Sequence, residues 1–160
     1  MTVADAALLA VFESDNSAFF EKFVPARPSD YFEAASLKAI IKVLLQSDQD
    51  RFYLICDHTQ KILGRANIVD IETRMPKTAE IGFRVAEQYC GKGIGGWAVR
   101  QLTEIAKDLG LETVTALAST ENPSSCKALL KGGFSITNAP KVSAFLNGSE
   151  IMLTTFQQNL

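Results

Sequence analysis

Apolar residues recur at helical spacing through 4–22: Leu8, Leu9, Val11, Phe12, Phe19 and Phe20, with Asp5, Glu13 and Asp15 between them. Val24-Pro25-Ala26-Arg27-Pro28 breaks that helix, and Ser29 or Asp30 is placed to cap a second one from Tyr31 to Leu45. The period then changes. Arg51 to Cys56 reads as a strand, Asp57 to Gln60 as a turn, and Lys61 to Ile71 as a second strand with Gly64 as a candidate bulge. The pair predicts an antiparallel hairpin. After a loop around Pro76, residues 78–85 alternate, with Ala79, Ile81, Phe83 and Val85 on one face and Glu80, Gly82 and Arg84 on the other.

A turn over 86–92 leads into a helix from Gly93 to Leu109, which Gly110 is suited to end. Thr113 to Ala118 is a strand rich in β-branched residues. Thr120-Glu121-Asn122-Pro123 opens another helix, with Pro123 at its first position, and Lys131-Gly132-Gly133 ends it. The tail reads as two strands, 134–146 and 149–157, joined by the hairpin dipeptide Asn147-Gly148. This order predicts a single mixed α/β (α+β) domain over 1–160. Its sheet is mostly antiparallel, with a right-handed βαβ unit that makes strands 78–85 and 113–118 parallel.

Composition narrows the function classes. The chain has 160 residues, 47% hydrophobic and 21% charged, which fits one soluble globular domain with a real core. A net charge of -2 without a basic tract argues against strong nucleic-acid binding. No apolar run approaches about 18 residues, so no membrane span is expected. The N-terminus lacks a basic segment followed by an apolar one, so the default location is cytoplasmic. Three scattered cysteines (Cys56, Cys90 and Cys126) and one histidine, His58, offer neither a disulfide framework nor a metal site.

The chemistry concentrates after residue 85. Gly91, Gly93, Gly95 and Gly96 lie between a strand and a helix. Such a loop exposes backbone N–H groups at the positive end of a helix dipole, which suits a phosphate. A P-loop needs four residues between its first glycine and Gly-Lys-Ser/Thr, and no such run exists. Gly91, Gly93 and Gly96 match a dinucleotide fingerprint by spacing. However, the loop is mid-chain, and the next strand ends in Ala116-Leu117-Ala118 rather than an acid. The plain alternative is a tight turn without a ligand.

Gln88-Tyr89-Cys90-Gly91-Lys92-Gly93 resembles the Gln/Arg-x-x-Gly-x-Gly/Ala signature of the GNAT superfamily of acyl-CoA-dependent N-acyltransferases. Ala79-Glu80-Ile81-Gly82-Phe83 is similar to that family's fourth strand. Asn122-Pro123-Ser124-Ser125 and Lys131-Gly132-Gly133-Phe134 are similar to its Asn-x-x-Ser and Lys-x-Gly-Phe segments. The helical opening, with Phe19-Phe20 and Val24-Pro25, resembles the RimJ/RimL type, which acetylates protein N-termini. The family's short first strand has no counterpart before the first helix here.

The resemblance implies acetyl-CoA as cosubstrate, with no metal. It also implies direct attack of a neutral amine at a splay between the family's fourth and fifth strands. Main-chain groups of Phe83, Arg84 and Val85 would lie along the pantetheine arm. Gln88, Cys90, Gly91, Lys92, Gly93, Ile94, Gly95 and Gly96 would surround the pyrophosphate, and Asn122 would contact coenzyme A. The acceptor would be a peptide N-terminus or a small amine, and the protein a monomer or homodimer.

Glu80 matches the glutamate base of some histone-acetylating members; it is otherwise a solvated residue or a partner of Arg84. Ser125 matches the serine that meets the leaving thiolate in RimL-like enzymes, and otherwise forms a local cap. No tyrosine follows in Cys126-Lys127-Ala128-Leu129-Leu130 to take that role. Asn122 can equally cap its helix. His58 is expected to be exposed in its turn, and Trp97 to pack its helix on the sheet or line the coenzyme channel. Cys90 and Cys126 are candidate nucleophiles without a histidine partner in sequence. A non-catalytic acyl-CoA-binding module on the same fold is the alternative function.

Overall fold

A computed structural model describes residues 1–160. Its elements run α1 (Ala6–Phe20), α2 (Ala34–Leu44), β1 (Arg51–Cys56), β2 (Ile62–Val69), β3 (Thr78–Val85), α3 (Ile94–Asp108), β4 (Thr113–Ser119), α4 (Pro123–Lys131), β5 (Ser135–Ile136), β6 (Val142–Leu146) and β7 (Ser149–Asn159). The strands form one sheet in the order β1-β2-β3-β4-β7-β5, with β6 also on β7. Every pairing is antiparallel except β3 with β4.

Alternation along the strands sends side chains to two faces with different covers. Ala66, Ile68, Ala79, Ile81, Val114, Ala116 and Phe156 pack with Ala98, Val99, Leu102 and Ala106 of α3 and Leu129 of α4. The opposite face meets α1 and α2, whose Leu9, Phe12, Phe20, Leu37 and Ile41 form a second core with Ile62 and Ala86. Gly132 lets the end of α4 reach α3, because a Cβ there would lie 2.2 Å from Val99 Cγ1.

Four expectations change. The second helix does not start at Tyr31: Ser29–Phe32 is a short 3-10 turn and Glu33 is extended at φ -81 and ψ 135. Tyr31 is buried and its hydroxyl accepts from Arg65 Nη1 at 2.9 Å, so a tertiary contact holds the turn apart from the helix. The strand predicted over 134–146 is two strands. Pro140 lies in the break and has no N–H to donate, while the Thr137 hydroxyl accepts from Ala139 N instead. Trp97 does not pack α3 onto the sheet; it is 46% exposed, and Ala98, Val99, Leu102 and Ala106 do that packing. Leu8 and Val11, each 59% exposed, lie outside the buried stripe of α1, whereas Glu13 lies inside it at 1%.

The remaining elements fall where the pattern put them, including a helix with no strand before it. The β1–β2 register shifts at Ile55/Cys56, with Ile55 opposite Gly64 and Cys56 opposite Ile62. Asn147 and Gly148 have φ 51 and 79, the backbone that a two-residue hairpin turn requires. Asn147 Nδ2 also donates to Glu21 O at 2.9 Å, so the β6–β7 hairpin reaches the end of α1.

Candidate active site

The parallel pairing of β3 and β4 covers only Thr78↔Thr113, Ala79↔Val114 and Glu80↔Thr115. Beyond Glu80 the strands separate, so the β4-facing main chain of β3 has no strand partner up to Val85. The β2 side stays in register from Val69↔Glu80 to Gly64↔Val85. A cleft therefore opens toward the carboxyl end of β3, where the glycine run begins.

In that run, Cys90 N donates to Glu87 O and Trp97 N donates to Gly93 O. The six N–H groups from Gly91 to Gly96 between them donate to no protein acceptor. Gly91 and Gly93 have φ 76 and 85, and a Cβ on either would meet nothing within 4 Å. Gly95 serves a different purpose: a Cβ there would lie 3.3 Å from the Phe83 ring and 3.4 Å from Ala128 Cβ, so it seats the start of α3 against β3 and α4. Unsatisfied donors at a helix start, held open by left-handed glycines, fit a pyrophosphate. Lys92 Nζ lies 5.2 Å from the centroid of the Tyr89 ring, with Lys61 Nζ 5.7 Å from the same ring. Gln88, Cys90 and Lys92 are exposed around this loop, and Ile94 is half-buried against the core.

Asn122 caps α4, its side chain accepting from Ser125 N at 3.1 Å. The Ser125 hydroxyl makes no hydrogen bond within the protein, so it is not a local cap. Ser125 is half-buried on the first turn of α4, and α4 follows the β4 side of the cleft.

Glu80 sits where the cleft begins. It has no ion-pair partner, and Arg84 is engaged elsewhere. Burial raises the Glu80 carboxyl above its usual 4.5, and the charge of Asp70 adds to the rise. A carboxylate held nearer neutrality is a better proton acceptor. The Cys90 and Cys126 thiols are raised as well, first by burial, so neither is primed as a thiolate. Cys90 Sγ donates to Ala86 O at 3.6 Å, and His58 is exposed in its turn.

The α1-facing side of the sheet holds an ionic cluster that the sequence reading missed. Glu13 bonds Arg65 Nη1 through one oxygen and Arg84 Nη1 through the other, the latter at 3.2 Å. The side chain of Arg84 thus points away from α3, and its main chain faces Arg65 of β2, so of the three residues expected along the pantetheine arm only Phe83 and Val85 turn main chain to the cleft. Burial works against the Arg65 charge, but Glu13 and Tyr31 outweigh it and raise its pKa. Burial lowers that of Arg84, with Glu13 opposing and Arg65 and Arg27 assisting. Asn67 fills the space over Gly82, where a Cβ would lie 2.7 Å from its Oδ1. A signal for Glu13 existed: it falls four residues after Leu9 and seven before Phe20, on the apolar stripe.

Residues 1–135 match the family model described as an acetyltransferase (GNAT) domain. The chain is 27% identical over 153 residues to "Probable N-acetyltransferase YjcK" of Bacillus subtilis (strain 168), covering 92% of this chain and 84% of that protein. Ribosomal-protein-S5-alanine acetyltransferase from Vibrio fischeri superposes with a TM-score of 0.87 at 21% identity, over 97% of this chain and 88% of that one. The microcin C7 self-immunity acetyltransferase MccE, solved with acetyl-CoA and AMP, also gives 0.87 at 21% identity, over 99% and 89%. At these identities the superpositions show a shared fold. No helix is long and apolar enough to cross a membrane, and no group of acidic, histidine and cysteine side chains is placed to hold a metal.

Proposed function

The chain belongs to the GNAT acetyltransferase family, and we propose that it moves the acetyl group of acetyl-CoA directly onto a primary amine, the amino terminus of a peptide being the favoured acceptor. The observation that carries this reading is the set of six unpaired N–H groups from Gly91 to Gly96 at the mouth of the β3–β4 cleft. Acetyl-CoA supplies an activated thioester when bound. Residues 91–96 hold its diphosphate, with Gln88, Cys90 and Lys92 around them, and the β4-facing main chain of Phe83 and Val85 holds the pantetheine arm, while that of Arg84 between them is turned to β2. The Asn122 amide keeps its N–H donors available beyond its capping role.

Glu80 accepts the proton of the ammonium acceptor, directly or through water, and frees the amine for attack. The unpartnered Ser125 hydroxyl donates to the sulfur as the thiolate departs. The raised thiols of Cys90 and Cys126 fit a route without an acyl-cysteine. The non-catalytic alternative is the weaker reading, since it leaves both Glu80 and Ser125 without a task.

The test is release of free CoA thiol from acetyl-CoA, followed against a panel of peptides, amino acids, polyamines and aminoglycosides. Amine-dependent release that is absent without acceptor supports the proposal. Tight acetyl-CoA binding with no release for any amine makes the chain a binding module instead.

A further inference from the structure

The row of side chains on the α1-facing side of β2 and β3 has two chemically distinct ends. At one end stands Glu80, with the charge of Asp70 close enough to be felt and no cation paired to it. In the middle, Asn67 lies over Gly82. At the other end Arg65 and Arg84 share the single carboxylate of Glu13, and Arg27 lies over the Tyr31 ring at 5.1 Å. A small cavity of about 10 Å³ lies at this end, lined by Glu13, Phe20, Glu21, Val24, Arg27 and Arg84 among others. The basic end therefore sets the three guanidiniums of Arg27, Arg65 and Arg84 against the carboxylates of Glu13 and Glu21. Both Glu13 oxygens are already engaged. Arg84 uses only Nη1 within the protein, and its side chain is 22% exposed.

We propose that the acceptor is a peptide amino terminus with an acidic side chain at its second or third residue, the amine lying at Glu80 and the acid on Arg84 and Arg27. This rests on the N-acetyltransferase reading above. Glu80 and Arg84 are four residues apart on one face of an unbulged strand, so their Cα atoms are about 13 Å apart. A hydrogen bond of about 3 Å at each end leaves roughly 7 Å between amine and acid. A free α-amino acid, whose two charges are one carbon apart, is too short for that span. An extended peptide advances about 3.3 Å per residue, so its second or third side chain reaches. A polyamine would bring a cation to the guanidinium end, where repulsion opposes it. The buried guanidiniums gain the counter-charge that Glu13 alone cannot give to both.

The experiment compares kcat/KM for tetrapeptide amides carrying aspartate at position two or three with their asparagine counterparts and with spermidine. The expected result is at least a tenfold preference for aspartate, carried mainly by KM and lost in Arg84→Gln. Arg27→Gln, a change at an exposed side chain, is expected to reduce the preference while acetyl-CoA affinity is unchanged. Equal rates for aspartate and asparagine peptides, or a preference for spermidine, overturn the proposal and leave acyl transfer standing. If no amine is acetylated although acetyl-CoA binds, the acyltransfer reading fails. Calorimetry of the aspartate peptide on the CoA-loaded protein then decides the subsite, and equal binding of the asparagine peptide overturns it.

Discussion

Gly93 and Gly110 bracket α3 with nearly the same backbone, φ 85 and φ 72, and a Cβ at either position meets nothing within 4 Å. Alanine at each therefore costs conformational strain alone, about 1–2 kcal/mol. For a domain of this length that lowers Tm by roughly 2–8 °C, and by a similar amount at both sites. The two positions differ only in what surrounds them. The N–H groups on both sides of Gly93 have no protein acceptor, whereas Gly110 N donates to Lys107 O at 2.8 Å. If 91–96 cradle a diphosphate, the new methyl of Gly93→Ala enters the space that the anion occupies. Losing one charge-assisted hydrogen bond costs about 1.5–3 kcal/mol, or about 10- to 100-fold in affinity. Differential scanning fluorimetry reads the stability change, and calorimetric titration with acetyl-CoA reads the affinity. Matched Tm losses with weakened acetyl-CoA binding in Gly93→Ala only are expected. Wild-type affinity in Gly93→Ala, or an equal loss in Gly110→Ala, would refute the assignment of the loop.

Four variants probe the site and the ionic cluster beside it. Glu13→Gln removes the one carboxylate between Arg65 and Arg84 at a position 1% exposed; it should cost about 3–5 kcal/mol in urea denaturation, and a loss under about 1 kcal/mol would show that the cluster contributes little. Glu80→Gln should lower kcat/KM by about 10²–10⁴-fold and abolish an acid limb centred above the usual 4.5; a retained limb would assign it to another group. Because burial and Asp70 raise this carboxyl when folded, it favours the fold at low pH and opposes it as pH rises through its folded pKa. Glu80→Gln should thus be more stable than the parent at neutral pH, a gap that closes toward low pH. Ser125→Ala should lower kcat roughly tenfold or more with Tm unchanged, since its hydroxyl bonds nothing in the protein; Asn122→Ala should instead cost about 1 kcal/mol through the lost cap.

The parts of this molecule that local rules control were legible in the chain. Period-two alternation placed β3 and its two faces, Pro123 and Asn122 marked the start of α4, and Asn147-Gly148 fixed the last hairpin. The glycine run was legible because positive φ and unpaired donors at a helix start are local requirements. Features set by long-range contacts were not. Nothing around Tyr31 announces that its hydroxyl will meet Arg65, so the 3-10 turn before α2 was read as helix. The pairing of Arg84 with Glu13 spans 71 residues, so sequence neighbours suggested Glu80 as its partner instead. Glu13 reads only as a polar position between apolar ones, because its two cations come from strands that the helix meets only on folding. The exposure of Trp97 reflects the same limit: small residues at 98 and 106 let α3 approach the sheet, and the large one is turned outward.

The main-chain N–H groups of residues 91–96 form the proposed diphosphate cradle. Amide hydrogen exchange, followed residue by residue with and without acetyl-CoA, observes them directly. Without ligand they have no acceptor in the protein and should exchange rapidly, unlike the amides of α3 beyond Trp97. With acetyl-CoA they should become protected together, as each gains a phosphate or thioester-arm oxygen. Protection that appears elsewhere while residues 91–96 still exchange freely would contradict the central claim.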